Sequence, residues 1–317
     1  MTINKRRSFI TGIKSTKLHS KEKKFLIKYK PWGIILFSRN IKSIKQTKKL
    51  TTEIRQIFKD ENYPILIDQE GGRVNRLSPF FNTDIFTGEF FGKLYKKDFK
   101  KFKEYYKIFI NQTSQILKLI GVNVNTVPVL DIRVKGANKI IGDRSFSNDP
   151  KLVSKIGDIC IKNYHLNNIG TVIKHIPGHG LAKVDSHKST PIVKVKLSHL
   201  KKKDFYAFKK KKSFLAMTAH IIFKDIDTIN TVTHSKKIIQ LIRNDIKFHN
   251  ILMSDDISMK GLKYSTKINT LKAFDAGCNL VLHCNGKFNE MCIVGENSPV
   301  VSKFIIKKTS QFYKFIR

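Results

Sequence analysis

Four short segments carry side chains whose types and spacing could do chemistry. Ser254-Asp255-Asp256 ends a strongly β-prone run, so it can hold a carboxylate at a strand end, where it can attack an electrophilic carbon. A helix N-cap would use the same triplet. Asp185-Ser186-His187 sets a carboxylate two residues from an imidazole, close enough to orient and polarise it as an acid/base group near neutral pH. A solvated loop explains that spacing equally well. Lys174-His175-Ile176-Pro177-Gly178-His179-Gly180 places two histidines four apart, which suits zinc only on a helix, and Pro177-Gly178 forbids one there. The remaining readings are a loop in which Lys174 and His175 grip hydroxyls, or a core histidine beside a snorkelling lysine. Asp68-Gln69-Glu70-Gly71-Gly72-Arg73-Val74-Asn75-Arg76 offers Asp68 to accept from sugar hydroxyls and Arg76 to donate to them. Its two glycines let backbone come close to a ligand. A tight turn with a surface ion pair is the competing account.

These segments need elements to position them. Apolar, β-prone runs fall at Ser8–Ile13, Gly33–Phe37, Pro64–Asp68, Val122–Asp131, Thr171–His175, Phe214–Ile222, Ile251–Asp255 and Asn279–His283. Between them lie Lys-rich stretches of helical period, such as Ile44, Leu50, Ile54, Ile57 and Phe58. Another opens at Asp149-Pro150, an N-cap followed by proline at the first helical position, and stops near Asn168 and Gly170. Strands alternating with helices predict an α/β fold, a single (β/α)8 TIM barrel in one catalytic domain over residues 1–317. An open doubly wound sheet is the rival, although no G-x-G-x-x-G follows the first strand. In a barrel, Asp68, Asp131, His175 and Asp255 end their strands on one rim, and His220 falls late in another.

Bulk properties narrow the class. With 317 residues and 41% apolar content the chain has material for a core, and it contains no run of about 18 apolar residues that would span a membrane. The basic start Lys5-Arg6-Arg7 has no apolar segment of signal-peptide length behind it, so a cytoplasmic protein without a membrane partner is expected. Cys160, Cys278, Cys284 and Cys292 show no C-x-x-C spacing and read as reduced thiols. The net charge of +37 suits a nucleic-acid binder or a compositional bias toward Lys, Ile, Asn and Phe. Lysines spread over many helix surfaces favour the bias and predict no nucleic-acid partner. An anionic substrate would still feel the field.

Taken together, the segments resemble the bacterial family 3 glycoside hydrolases of the β-N-acetylhexosaminidase type. The resemblance runs from about Gly33 to Gly286, with Ile35-Leu36-Phe37-Ser38-Arg39-Asn40, Val127-Pro128-Val129-Leu130-Asp131 and Gly142-Asp143-Arg144-Ser145-Phe146 in family order. Asp-x-His after Lys-His-x-Pro-Gly-His-Gly separates this branch from its β-glucosidase relatives. It is most similar to the cytosolic enzymes of peptidoglycan recycling, which remove non-reducing N-acetylglucosamine from anhydro-muropeptides. The resemblance implies Asp255 as nucleophile, His187 as acid/base assisted by Asp185, and Asp68, Arg76, Arg144, Lys174 and His175 as the sugar-binding set. It implies a small-molecule substrate, a monomer, and neither metal nor organic cofactor. An N-acetylglucosaminide phosphorylase, a β-glycosidase, and an inactive basic nucleic-acid-binding barrel are the alternatives. Two departures stand out: Asp143 occupies a position where glutamate is expected, and the short stretch after Gly286 predicts a curtailed closing helix and a less well closed barrel.

Overall fold

The structure, a computed structural model, describes residues 3–316. Its strands are β1 (Arg7–Gly12), β2 (Pro31–Leu36), β3 (Ile65–Ile67), β4 (Val124–Asn125), β5 (Gly170–Ile176), β6 (Ile192–Val193), β7 (Leu215–Thr218), β8 (Ile222–Phe223), β9 (Ile251–Asp256) and β10 (Leu280–His283). Eight of them close a parallel barrel in the order β1-β10-β9-β7-β5-β4-β3-β2, and β6 pairs with β8 in a separate ribbon. All eight predicted runs contribute a barrel strand. Closure comes from β1 against β10, with Phe9 opposite Val281 and Ile10 opposite Leu282.

Alternation along the strands builds two cores. Ile10, Ile35, Leu66, Val172, Leu215, Met217, Ile251, Met253, Leu280 and Leu282 fill the barrel. Their chain neighbours Phe9, Ile34, Ile65, Ile67, Ala216, Leu252 and Val281 face the helices. That is the period of two a strand imposes on its side chains. The helical shell includes α1 (Ser20–Tyr29), α2 (Ile44–Phe58), α3 (Gly88–Lys97), α4 (Phe99–Leu119) and α5 (Pro150–Leu166). It continues through α6 (Leu197–Lys202), α7 (Asp204–Phe208), α8 (Lys236–Asn244), α9 (Thr266–Ala276), α10 (Phe288–Asn297) and α11 (Lys303–Ile316). Asp149 caps α5 as expected, accepting from the Lys151 amide, with Pro150 at the first position. No helix among the described residues is long and apolar enough to cross a membrane. All four cysteines are free.

The fold departs from the sequence expectations in three places. The predicted fourth strand, Val122–Asp131, shrinks to two ladder residues, because Pro128 has no N–H to give; Val127 to Leu130 still run beside β5 through Val172 N–H to Val127 O and Leu130 N–H to Lys174 O. The run Phe214–Ile222 divides into β7 and the start of β8, leaving His220 in the turn between them. The expectation of a poorly closed barrel is wrong. After Gly286 the chain forms two helices, and α11 stops the lower end of the barrel, placing Ile305 and Phe312 in the interior cluster. Thr309 accepts from the buried Trp32 indole at 2.8 Å, and Phe312 packs edge-on against Phe214. Phe312→Ala is therefore expected to cost about 3–5 kcal/mol of unfolding free energy, read from the midpoint of a urea transition. An unchanged midpoint would mean that α11 is no part of the cooperative fold.

Candidate active site

A cavity of about 220 Å³ opens at the C-terminal rim of the barrel. Seven of the eight predicted residues line it: Asp68, Arg76, Arg144, Lys174, His175, His187 and Asp255. The eighth, Asp185, lies behind His187 and holds it.

The site's floor is a network of opposite charges. Lys174, whose side chain is 1% exposed, donates to Asp68 at 2.6 Å and to Thr126 Oγ1 at 3.1 Å, and its Nζ pairs with Glu70 at 2.6 Å. Those three partners occupy all three N–H directions of an ammonium. Asp68 also accepts from the Thr126 hydroxyl and, at 3.3 Å, from Arg76. Glu70 binds Arg144 through two parallel bonds of 2.7 and 2.8 Å. Burial alone would raise both carboxyls, but the Lys174 and Arg76 cations hold Asp68 far below the usual range, and Arg144 with Lys174 holds Glu70 at about 2. Burial works the other way on Lys174, yet its two carboxylates leave its pKa raised.

Glu70 was not singled out by the sequence reading, although it lies inside the segment that was. Thr126 was missed altogether. Nothing in either residue's neighbourhood along the chain announces a partner on another strand. Gly71 and Gly72 have φ of 96° and 54°, which brings the chain back over β3 and lets Glu70 reach Arg144. Asp143, standing where a glutamate was expected, pairs with Arg73 at 2.9 Å and leaves Arg144 to Glu70.

His175 is fixed from behind. Buried Asp131 accepts from the His175 and His179 amides and from His175 Nδ1 at 2.6 Å. A carboxylate only accepts, so His175 Nδ1 carries the hydrogen of that bond and the ring's orientation is fixed by it. Burial pushes the Asp131 carboxyl up, and His175 outweighs it, so the net shift is downward. His179 turns to Ser186 at 3.1 Å, so the two histidines do not converge as metal ligands.

The two rim acids of β9 differ in their surroundings. Asp256 accepts from the Ser258 hydroxyl and amide and from the Cys284 amide, which uses both its oxygens. Among the described residues Asp255 accepts one bond, from the Asp256 amide at 2.7 Å. Burial would raise its pKa, but nearby His220 and His175 and that amide lower it, so it is a carboxylate at neutral pH. His187 lies on the loop after β5 and is 61% exposed. Its amide and Nδ1 meet Asp185 Oδ1 at 2.8 and 2.9 Å, which leaves Nε2 for the cavity. Burial would raise Asp185, and the two bonds from His187 bring it below its ordinary value.

The chain is similar to known proteins in both sequence and fold. Residues 7–308 match the family described as glycosyl hydrolase family 3 N-terminal domain. The chain is 31% identical over 281 residues to a beta-hexosaminidase of Hydrogenovibrio crunogenus, covering 87% of this chain and 78% of that one. It is 32% identical over 289 residues to a beta-hexosaminidase of Neisseria meningitidis, covering 87% and 77%. Its fold superimposes on NagZ from Neisseria gonorrhoeae in complex with N-trifluoroacetyl-D-glucosamine with a TM-score of 0.88 at 26% identity, over 99% of this chain and 91% of that one.

Glu70→Gln tests the charged floor. Because the folded pKa of Glu70 is depressed, its contribution is present above the ordinary value of 4.5 and is lost as pH falls toward about 2. The substitution leaves two buried cations underpaired, so a loss of about 3–5 kcal/mol at pH 7 is expected. The variant's stability should also fall less steeply than the wild type's between pH 4.5 and 2. Denaturant titrations across that range measure both, and parallel curves would show that Glu70 is not the titrating group.

Proposed function

The chain belongs to glycosyl hydrolase family 3 and is a β-N-acetylhexosaminidase of the bacterial type, and within that class we propose a retaining exo-β-N-acetylglucosaminidase of peptidoglycan recycling. In this reading residues 1–317 are one cytoplasmic, monomeric catalytic domain. Its substrate is an anhydro-muropeptide bearing a non-reducing N-acetylglucosamine, and no metal or organic cofactor takes part.

One observation carries the reading. An ionised Asp255, free of any cation bonded to it among the described residues, shares a cavity with a His187 that Asp185 holds by Nδ1. A nucleophile needs an uncommitted carboxylate, and a proton shuttle needs one ring nitrogen tied and the other free. Asp256, with both oxygens occupied by Ser258 and Cys284, suits neither task.

The reaction then has two displacements. Protonated His187 gives its Nε2 proton to the glycosidic oxygen as Asp255 attacks the anomeric carbon. The aglycone leaves as an alcohol, and the sugar stays on Asp255 as a glycosyl ester after an oxocarbenium-like transition state. Neutral His187 next takes a proton from water, whose oxygen attacks the anomeric carbon from the face the aglycone left. The ester breaks, Asp255 is a carboxylate again, and N-acetylglucosamine departs with its β configuration retained. Imidazole, with an ordinary pKa near 6.5, serves both directions at neutral pH, where a carboxylic acid would need its pKa raised by burial. Asp68, Arg76, Arg144 and His175 hold the sugar's hydroxyls. Lys174, with its three N–H directions used, keeps Asp68 and Glu70 in place.

Two outcomes test this reading. In His187→Ala, a dinitrophenyl N-acetyl-β-glucosaminide, whose leaving group needs no proton, should still glycosylate the enzyme, while chitobiose turnover falls by about 10²–10⁴-fold. A fluorosugar should label Asp255, and azide should restore turnover as the β-glycosyl azide. Equal losses on both substrates without azide rescue would make His187 a binding residue. Separately, kcat/KM for an anionic muropeptide should fall more steeply with salt than that for neutral chitobiose, because the Debye length shrinks from ~30 Å at 0.01 M to ~8 Å at 0.15 M. Equal salt dependence would leave the net charge without a role in substrate capture.

A further inference from the structure

The end of β9 is gripped by an imidazole that lines no part of the cavity. His220 is fully buried in the turn between β7 and β8. Its Nε2 lies 3.0 Å from the Asp256 carbonyl oxygen, and its Nδ1 lies 2.8 Å from the Thr233 hydroxyl. A carbonyl only accepts, so Nε2 carries the hydrogen. That leaves Nδ1 to accept from the Thr233 hydroxyl, which it meets at 2.8 Å against 3.3 Å to the Ala219 carbonyl, and Thr233 with its hydrogen so used accepts from Thr218, 2.8 Å away. Burial disfavours the imidazolium, and the nearby Asp255 and Asp256 carboxylates offset this only in part, so the ring has a lowered pKa and a single proton. The chain of donors runs from Thr218 through Thr233 and His220 to Asp256.

Asp256 is the pivot on which Asp255 depends. Its amide gives Asp255 the one hydrogen bond that its carboxylate receives among the described residues, and its own carboxylate is tied to Ser258 and Cys284. Its carbonyl accepts from the Met259 amide at 3.1 Å and from His220 Nε2 at 3.0 Å, so His220 supplies the side-chain tie on that oxygen. The same imidazole also sits at a seam with the other half of the site. A Cβ on Gly261 would fall 2.8 Å from the Ser186 carbonyl oxygen and 3.2 Å from His220 Cβ, so the loop after β9 passes between the two with no room to spare. The Thr190 hydroxyl donates to the Gly261 carbonyl at 2.9 Å and closes that seam. Ser186 is the residue between Asp185 and His187.

We propose that His220 is a positioning residue: its Nε2–H, donated to the Asp256 carbonyl, fixes the residue whose amide aims the Asp255 carboxylate, and its contact with Gly261 keeps that strand end in register with the Asp185–His187 loop. This rests on Asp255 acting as nucleophile and His187 as acid/base. A side chain at 220 that only filled space would be replaceable by leucine. One that holds a carbonyl by Nε2–H would be replaceable by glutamine, whose terminal amide presents a donor where Nε2 stands.

The experiment compares His220→Leu, His220→Gln and wild type on dinitrophenyl N-acetyl-β-glucosaminide and on chitobiose, with thermal melts to check folding. In the leucine variant kcat should fall about 10²-fold on both substrates, as a displaced nucleophile slows attack whatever the leaving group, with KM changed less than about 3-fold. Glutamine should restore kcat to within about 10-fold of wild type. A folded leucine variant with wild-type kcat, a loss confined to KM, or a glutamine variant no better than leucine would overturn the proposal. Nitrogen-15 NMR of wild type labelled in histidine decides the bond itself: His220 should be protonated at Nε2 alone, and a proton on Nδ1 would overturn it even if the leucine variant fails to fold. A wild type inactive toward every N-acetyl-β-glucosaminide would instead remove the functional reading, while the spectrum would still decide the His220–Asp256 bond.

Discussion

The Lys174 ammonium, buried between Asp68 and Glu70, is the interaction on which the rim depends. A lone charge at that depth would lose its proton, and two lone carboxylates would gain theirs. Together they stay ionised, because each supplies what the other's desolvation removes. Arg144 on Glu70 and Arg76 on Asp68 complete the set, so that every buried charge in it has at least one opposite partner. Breaking such a set at one member is costly, since the survivors are left charged and dry. That cooperativity gives the site a rigid floor before any substrate arrives.

A closed parallel barrel makes this floor possible. Asp68 and Glu70 follow β3, Thr126 follows β4, and Lys174 sits on β5, three strands that are neighbours in the ring. The register between β5 and β7 shifts between Lys174 and Ile176, and that between β10 and β9 shifts opposite Asp256. Irregularities of this kind re-aim side chains at a barrel rim without disturbing the packed layers below. On β9 two adjacent carboxylates receive opposite treatment: Asp256 is absorbed into the backbone of its surroundings and Asp255 is left uncommitted. Environment, not residue type, sets the two apart.

How much of this was legible follows from what each feature depends on. The eight strands came through because each is a short apolar run bounded by polar loops, a property of consecutive residues. The same holds for the Asp149-Pro150 helix start. Strand limits were less legible: Val122–Asp131 looked continuous, but a ladder needs donors on both partners and Pro128 offers none. The closing helix was misjudged because α11 earns its place through Ile305 and Phe312 against the barrel's lower end, a contact invisible along the chain. Of the site, Asp255, His187 and His175 could be placed by their positions at strand ends and in one loop. Glu70, Thr126 and the grip of His220 on Asp256 could not, because each matters through a partner roughly 36 to 104 residues away in sequence.

The charge of the whole chain and the charge of the site are separate quantities. Three carboxylates (Asp68, Asp255 and Asp256) and four cations (Arg73, Arg76, Arg144 and Lys174) line the cavity, and two of those cations are paired behind it to Asp143 and Glu70. The cavity is thus close to electrical balance within a chain of net charge +37. A balanced cavity suits an uncharged sugar and the cationic character that develops at its anomeric carbon, which a strongly positive pocket would oppose. The surplus lies outside, on exposed lysines such as Lys139, Lys188 and Lys260 on loops of the same rim. Any attraction to an anionic aglycone therefore acts on approach and not on the chemical step. It should register in capture of the substrate while leaving the bond-breaking rate alone.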